Sequence, residues 1–167
     1  MERIAQFEKV SIEQFTEDLK KLFPNFSEEK IGDIYGGISL PKRATAGSAG
    51  YDFFLPIDME LVPEKSVIIP TGIRAKSSDG WVLNLYPRSG LGFKFGFRLE
   101  NTVGIIDSDY YNADNQGHIM AKVSVSSGVS LGAGKAFMQG VFLQFGITPD
   151  DNADGERHGG FGSSDRQ

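Results

Sequence analysis

The sequence contains no cysteine, which excludes disulfide bonds and thiolate metal sites. Positive charge is also scarce, because 17 Lys and Arg stand against 22 Asp and Glu, giving a net charge of −5. A nucleic-acid surface needs a basic face to displace counterions, so we expect no nucleic-acid partner. No apolar run reaches membrane length, and the first residues lack a signal-peptide pattern. We therefore expect a cytoplasmic protein with no membrane partner.

Glycine and aromatic residues, by contrast, are abundant. The 167 residues include 21 glycines, 13 phenylalanines and five tyrosines, whereas glycine usually makes up about 7% of a chain. Glycine favours tight turns and aromatic residues favour strands. A single domain is the default for this length. Composition therefore predicts one turn-rich β domain.

The pattern along the chain divides it into three parts. Residues 3–10 predict a strand, and Ser11 with Gln14 has the form of a capping box that begins a helix ending at Pro24. From about Ile38, short apolar runs recur at intervals of about ten residues, as in a sandwich or barrel. Predicted strands cover residues 51–55, 66–69, 81–86, 119–125 and 136–147. Residues 148–167 are polar and glycine-rich, which predicts a mobile arm.

Two segments have residue types that suit chemistry on an anionic substrate. Pro87 to Gly90 provides a guanidinium, a hydroxyl and backbone amides directly after an apolar strand, which suits phosphate oxygens. Taken alone, Arg88 is more commonly a surface charge. Asp107 ends an apolar run, where a carboxylate can act as a general base, but Asp-Ser-Asp is also good turn chemistry. His118 and His158 have no partner at zinc-ligand spacing.

Five short motifs occur in an order that resembles the trimeric all-β dUTPase family. The first is Ala49-Gly-Tyr-Asp-Phe53, and the second is Pro87-Arg-Ser-Gly-Leu-Gly-Phe-Lys-Phe-Gly96. The third is Asn101-Thr-Val-Gly-Ile-Ile-Asp-Ser-Asp-Tyr110. The fourth is Gly134-Lys-Ala-Phe-Met-Gln139, and the fifth is Gly159-Gly-Phe-Gly-Ser-Ser164. The resemblance rests on this order, since any single motif is ambiguous.

The resemblance implies a fold, an assembly and an activity. The expected fold is an all-β jelly roll or β-sandwich over residues 1–147, with an N-terminal strand and short helix in residues 1–33 and a flexible C-terminal arm over 148–167. The expected assembly is a homotrimer whose active sites are each built from several subunits. The implied activity is hydrolysis of dUTP to dUMP and pyrophosphate with Mg²⁺.

It also implies roles for particular residues. Asp107 would orient and deprotonate the water that attacks the α-phosphorus, and Tyr110 would lie against the deoxyribose. Asn101, with the backbone of Gly104 and Ile106, would pair with the uracil edge. Asp52 would act through water on Mg²⁺ that the triphosphate mainly ligates, and Phe161 would stack on the base as the arm closes. The residues expected to bind phosphates are Arg88, Ser89, Gly90, Gln139 and Arg157.

Three departures from the family pattern are present. Ala136 stands where the family commonly has arginine, so a salt bridge there is absent or replaced. Arg157 precedes the Gly-Gly pair by one residue fewer than usual. Residues 111–115 look like an insertion that lengthens a hairpin beside the base, and the N-terminal helix is assigned a packing role.

Two other functions remain open at this point. The first is a dCTP deaminase, or a bifunctional deaminase-dUTPase, on the same fold, against which the sequence Asp107 to Tyr110 argues. The second is a non-catalytic nucleotide-sensing protein, against which the presence of a candidate base, Asp107, argues.

Overall fold

A computed structural model describes residues 2–155 of the chain. Short strands contain more residues of this part than its helices do, and none of its helices is long and apolar enough to cross a membrane. The strands are β1 (Ala5–Lys9), β2 (Lys42–Arg43), β3 (Tyr51–Phe54), β4 (Met59–Leu61), β5 (Val67–Pro70), β6 (Ile73–Ser77), β7 (Trp81–Pro87), β8 (Arg98–Leu99), β9 (Gly104–Ile106), β10 (Met120–Ser124), β11 (Val129–Leu131) and β12 (Ala136–Gln144). The helices are α1 (Ile12–Leu22), α2 (Glu28–Gly37), α3 (Ser89–Phe95) and a 3₁₀ helix (Ser108–Asn112).

The strands pair antiparallel throughout the described chain. The largest sheet has the order β2-β3-β12-β7-β9, a second has the order β5-β10-β8, and β1-β6 and β4-β11 form two-stranded pairs. Non-consecutive strands lie side by side, and their apolar faces share one core that includes Phe53, Ile69, Leu83, Ile119 and Phe137. The expected all-β, jelly-roll-like fold is confirmed.

Helix α1 begins at the serine that the sequence indicated. The Ser11 Oγ accepts a hydrogen bond from the Gln14 amide at 3.2 Å, which is the first half of the predicted capping box. The second half is wrong. The Ser11 amide instead donates to the Gln116 Oε1 at 2.8 Å, while the Gln14 side chain donates to Asp18. A residue distant in sequence therefore completes this cap.

A second N-terminal helix, α2, was not predicted, and it extends past the expected boundary at residue 33. Three glycines within Glu28–Gly37 lower its helix propensity and hid it from the pattern. The sequence nevertheless contains a helix-start signal, because two glutamates follow Ser27. In the structure the Ser27 Oγ accepts a hydrogen bond from the Lys30 amide. Ile31, 1% exposed, anchors the helix to the main core.

Helix α1 is joined to the β core by a buried acid-histidine pair. The His118 Nδ1 lies 2.7 Å from the Asp18 Oδ2, and the His118 Nε2 accepts the Gly72 amide at 2.8 Å. Because Nε2 is an acceptor, the ring proton is on Nδ1 and the imidazole is neutral. Burial raises the pKa of Asp18, but hydrogen bonds from His118 and Gln14 outweigh it and keep this pKa below its ordinary value.

Replacing Asp18 by alanine should destabilise the protein by about 1–3 kcal/mol, because the buried His118 N–H loses its acceptor. Since the pKa of Asp18 is lowered on folding, its stabilisation is present above its unfolded pKa of about 3.8 and is lost as pH falls through the folded value. Chemical denaturation at pH 7 and pH 3 checks both points. Asp33→Ala, at an exposed position on α2, is the matched control. Equal effects of the two variants at pH 7 would contradict the assignment.

The connection between β9 and β10 differs from the expected hairpin. Strand β9 pairs with β7, whereas β10 pairs with β5 and β8, so the connection crosses from one sheet to another. Its first part is the 3₁₀ helix, and the predicted insertion at 111–115 begins with the last two residues of that helix. The insertion packs against the N-terminal strand through Tyr111, whose hydroxyl donates to Glu8 at 2.7 Å. The insertion is therefore held against β1 and forms no hairpin.

Candidate active site

A cavity of about 400 Å³ brings together three of the five motifs. Strand β3 carries most of the first motif, the second begins at the last residue of β7 and continues through α3, and β12 carries most of the fourth. These strands are neighbours in the largest sheet, in the order β3-β12-β7, which is why motifs far apart in sequence meet. The lining residues are Ala44, Ser48, Ala49, Gly50, Asp52, Arg88, Ser89, Gln139 and Val141.

Arg88 and Asp52 form the charged pair of this cavity. The Arg88 Nε lies 3.4 Å from the Asp52 Oδ1. The Arg88 side chain is 43% exposed and that of Asp52 is 18% exposed, so the guanidinium retains donors for a ligand while one carboxylate fixes its position. Ser89 and Gly90 follow in the first turn of α3, where backbone N–H groups have no intrahelical acceptor. The cavity is thus suited to phosphate oxygens.

Gln139 reaches the same cavity because its neighbour is a glycine. Gln139 pairs with Asp52 on one side and with Tyr86 on the other. A Cβ atom added at Gly50 would lie 2.6 Å from the Gln139 Oε1, so a larger residue there would displace the amide. Gly50 therefore belongs to the site through the space that it leaves, a role that sequence analysis did not assign to it.

The loop of residues 43–48 closes one side of the cavity, and sequence analysis assigned it no role. The Arg43 Nη1 donates to the carbonyl oxygens of Ala46 at 2.9 Å and Ser48 at 3.0 Å. The Thr45 and Ser48 hydroxyls lie 2.8 Å apart. These contacts fix the loop and bring Ser48 and the Ala44 segment to the cavity wall. The small and polar residues of this loop were the sequence feature that could have indicated its place beside a ligand.

The residues predicted to read the base lie on and before β9. Asn101 is exposed in the turn that precedes this strand. Strand β9 is the edge of its sheet, so one row of its backbone groups is not used by the sheet. Ile106 is 7% exposed and pairs with Leu83, which leaves only its backbone for substrate. A Cβ atom at Gly104 would lie 3.1 Å from Leu85, so glycine allows β9 to pack closely on β7.

Asp107 and Tyr110 follow directly after this edge strand. Asp107 is half-buried at the N-terminus of the 3₁₀ helix, and the Tyr110 amide donates to its carbonyl oxygen at 3.2 Å. Tyr110 is 3% exposed, and its hydroxyl donates to the His118 carbonyl at 2.9 Å. The ring is therefore held rigidly beside the candidate base. Its contact with a sugar stays a prediction.

Within one chain the two groups of site residues lie far apart. Ile106 is opposite Leu83, so Asp107 lies near the Trp81 end of β7, whereas Arg88 lies just beyond the Pro87 end. At about 3.3 Å per strand residue, Asp107 and Arg88 are separated by roughly 20 Å. One chain does not bring the candidate base to the candidate phosphate site.

The cavity offers Mg²⁺ one carboxylate, that of Asp52, and no complete set of protein ligands among the described residues. Among residues 2–155 there is no group of three or more His, Cys, Asp or Glu that could hold a metal ion. Asp52 supplies a single carboxylate there. Mg²⁺ dehydrates reluctantly and is commonly held by one carboxylate together with substrate phosphates. The residues present therefore fit a metal that arrives with a polyphosphate and contacts Asp52 through water.

Ala136 and the fifth motif are the remaining features that the sequence analysis singled out. Ala136 is 8% exposed at the start of β12 and lines a second cavity, of about 520 Å³, together with Arg88, Lys94 and Lys135. A positive charge is therefore close to the position where the family commonly has arginine. Arg157, Phe161 and the fifth motif, Gly159 to Ser164, lie outside the described residues.

Comparison with solved structures defines the class of fold. The crystal structure of the dUTPase from Streptococcus mutans is 35% identical and has a TM-score of 0.63, covering 85% of this chain and 97% of that one. A mutant dUTPase from phage phi11 of Staphylococcus aureus, described with a structural Mg(II) ion, has a TM-score of 0.64 at 15% identity. It covers 92% of this chain and 98% of its own, and at this identity it shows the fold alone.

Sequence comparison gives the same result. The dUTPase family model matches residues 37–165. The deoxyuridine 5'-triphosphate nucleotidohydrolase of Lactococcus lactis is 41% identical over 133 residues, covering 77% of this chain and 89% of the relative. That of Shigella sonnei is 35% identical over 159 residues, covering 89% of this chain and all of the relative. The chain belongs to the dUTPase family, which confirms the resemblance seen in the ordered motifs.

Proposed function

We propose that this protein hydrolyses dUTP to dUMP and pyrophosphate in the cytoplasm. The observation that carries this proposal is the cavity in which Asp52, Arg88, Ser89 and Gln139 meet, each from a motif of the dUTPase pattern. The named relatives, which are deoxyuridine 5'-triphosphate nucleotidohydrolases, support the same substrate. A net charge of −5 does not oppose polyanion binding, because Arg88 places positive charge at the cavity.

In the proposed mechanism, Asp107 orients a water molecule and accepts its proton as the water oxygen attacks the α-phosphorus. The bond from the α-phosphorus to the bridging oxygen of the pyrophosphate breaks. Arg88, the Ser89 hydroxyl, the Gly90 amide and Gln139 bind the phosphate oxygens, where fixed donors stabilise developing charge. Asp52 would hold Mg²⁺ through water together with the triphosphate, and the metal would supply further charge neutralisation there.

In the same proposal, β9 and its flanking residues recognise the nucleoside. The exposed edge of β9 offers backbone groups at Gly104 and Ile106 to the uracil, and Asn101 adds a side-chain amide. Tyr110, fixed by its hydrogen bond to the His118 carbonyl, forms a wall against the deoxyribose that excludes a 2′-hydroxyl. A rigid ring suits this task, because rejection of one hydroxyl needs a wall that does not move aside.

We further propose that the complete site forms between subunits of a homotrimer. The separation of Asp107 from Arg88 within one chain supports this arrangement, since the base must lie near the phosphorus that the arginine helps to bind. Exposed apolar side chains provide surface for such contacts, namely Phe93, Ile105, Phe145 and Ile147. The arm over residues 148–167, with Arg157 and Phe161, is proposed to close over the bound nucleotide.

The substrate assignment is tested by measuring pyrophosphate release from dUTP, UTP, dTTP and dCTP, with and without Mg²⁺. We expect rapid release from dUTP alone, and a large loss when the metal is chelated. Ammonia release from dCTP would instead identify a deaminase. Nucleotide binding without any product would identify a sensing protein.

Replacing Arg88 by glutamine should lower kcat/KM for dUTP by about 10- to 100-fold, since a charge-assisted hydrogen bond to phosphate is worth about 1.5–3 kcal/mol. Steady-state kinetics measures this effect. The matched control is Arg98→Gln. The Arg98 side chain is 63% exposed, and its contact with the Glu100 carboxylate is long, at 4.0 Å. Similar losses for both variants would contradict a phosphate-binding role for Arg88.

A further inference from the structure

The crossing segment, residues 107–118, is held by three separate contacts with the N-terminal part of the chain. The Tyr111 hydroxyl donates to the Glu8 Oε2 at 2.7 Å. The Gln116 side chain accepts from the Ser11 amide at 2.8 Å and donates to the Ser11 Oγ at 3.1 Å. His118 forms its buried pair with Asp18. The three anchors come from β1, the cap of α1 and the middle of α1.

The contact at Glu8 involves a third residue, Arg74. Glu8 also accepts from the Arg74 Nη2 at 2.8 Å, and the Arg74 guanidinium carbon lies 4.2 Å from the centre of the Tyr111 ring. One carboxylate and one guanidinium therefore hold both the hydroxyl and the face of this tyrosine. The Tyr111 hydrogen bond, aided by Arg74 and opposed by burial, lowers the pKa of Glu8, so the acceptor is charged at neutral pH.

These anchors lead directly to Tyr110. The Tyr110 hydroxyl donates to the backbone carbonyl of His118, one of the anchored residues, and accepts from the Asn115 Nδ2 at 2.9 Å. Tyr111 is its immediate neighbour in the chain. The position of the Tyr110 ring is thus fixed from both sides by residues that the N-terminal strand and helix hold in place. A simple packing role for α1 does not account for polar contacts concentrated on this one segment.

We infer that the N-terminal strand and helix are a positioning element for the sugar-reading tyrosine, and that Glu8 and Tyr111 are positioning residues that set the preference for deoxyribose over ribose. This inference rests on the proposed function, in which Tyr110 contacts the deoxyribose. Glu8 and Tyr111 touch no substrate in this account. They act by keeping the Tyr110 ring where a 2′-hydroxyl would collide with it.

The test compares four variants in the full-length protein with dUTP and UTP. Tyr111→Phe removes the hydroxyl but keeps the ring beside Arg74, and Glu8→Ala removes the acceptor. We expect both to raise KM for dUTP about three- to tenfold, the scale of one lost hydrogen bond, with little change in kcat. The ratio of kcat/KM for dUTP over UTP should fall by a similar factor. Glu8→Gln, which retains an acceptor for Tyr111, should restore most of this ratio.

Glu13→Ala, at an exposed position on α1, is the fourth variant and the matched control, with no expected change in KM or in the ratio. Hydrogen exchange of the backbone amides in residues 107–118 should accelerate in Glu8→Ala but not in Glu13→Ala. If the variants lower the melting temperature while KM and the ratio stay at the wild-type values, the residues are merely structural and the inference is wrong. Absence of dUTP turnover by the wild-type protein would instead overturn the proposed function, and this inference with it.

Discussion

Asp107→Asn is expected to lower kcat for dUTP by about 10²- to 10⁴-fold, the usual contribution of a general base. The amide is nearly isosteric with the carboxylate but accepts no proton from water at neutral pH. Nucleotide binding should persist, since the proposed phosphate and uracil contacts come from other residues. Single-turnover pyrophosphate release gives the rate, and calorimetry with dUTP gives the affinity.

The control for this variant is Asp114→Asn, which removes an exposed carboxylate from the crossing segment. It should retain wild-type kcat and affinity. Near-normal turnover by Asp107→Asn would refute the proposed base. Loss of binding together with turnover would assign Asp107 to substrate affinity and not to proton transfer.

Truncation after Gly155 has the second largest expected effect. Removing residues 156–167 deletes Arg157, Phe161 and the fifth motif. We expect kcat/KM for dUTP to fall by about 10²-fold, because an open site admits water and holds the triphosphate less precisely. The melting temperature should stay unchanged, because every residue of the described β core lies before the point of truncation.

Two substitutions in the full-length chain separate the roles within the arm. Phe161→Leu should reproduce part of the loss, whereas Phe161→Trp should retain activity if an aromatic face on the base is what is needed. Kinetics of both variants with dUTP checks this expectation. Wild-type activity in the truncated protein would show that the arm takes no part in the reaction.

The β core was largely predictable from sequence because its residues obey local rules. Met120 to Val123 alternate as a half-buried strand should, and Ser11 marks the start of α1 as a capping serine should. The sequence pattern predicted that the last strand ends at Ile147, three residues beyond the observed end of β12 at Gln144. The apolar pattern continues to Ile147, but the Phe145 amide leaves the ladder and donates to the Gly80 carbonyl. Helix α2 was not predicted because its glycines lower its helix propensity. It forms nevertheless, because the burial of Ile31 in the core outweighs this cost.

The candidate site was predictable as a set of residues but not as an arrangement. Asp52, Arg88 and Gln139 were identified from motif order, and the structure brings them to one cavity. Their distance from Asp107 depends on the register of β7 with β9, which no local pattern encodes. The same limit applies to the pairing of Glu8 with Tyr111, residues about a hundred positions apart. Contacts of this kind arise when distant elements pack.

The central claim, dUTP hydrolysis at a site shared between subunits, is tested most directly by mixing two variants that are each expected to have low activity. Asp107→Asn and Arg88→Ala chains, carrying different affinity tags, are coexpressed, and oligomers holding both tags are assayed for pyrophosphate release from dUTP. If the base and the arginine come from different subunits, each trimer that holds both tags has one site of three with two intact groups, and its activity should be about a third of the wild-type value. If both groups come from one chain, no site is restored, and activity no higher than that of the separate variants would contradict the account.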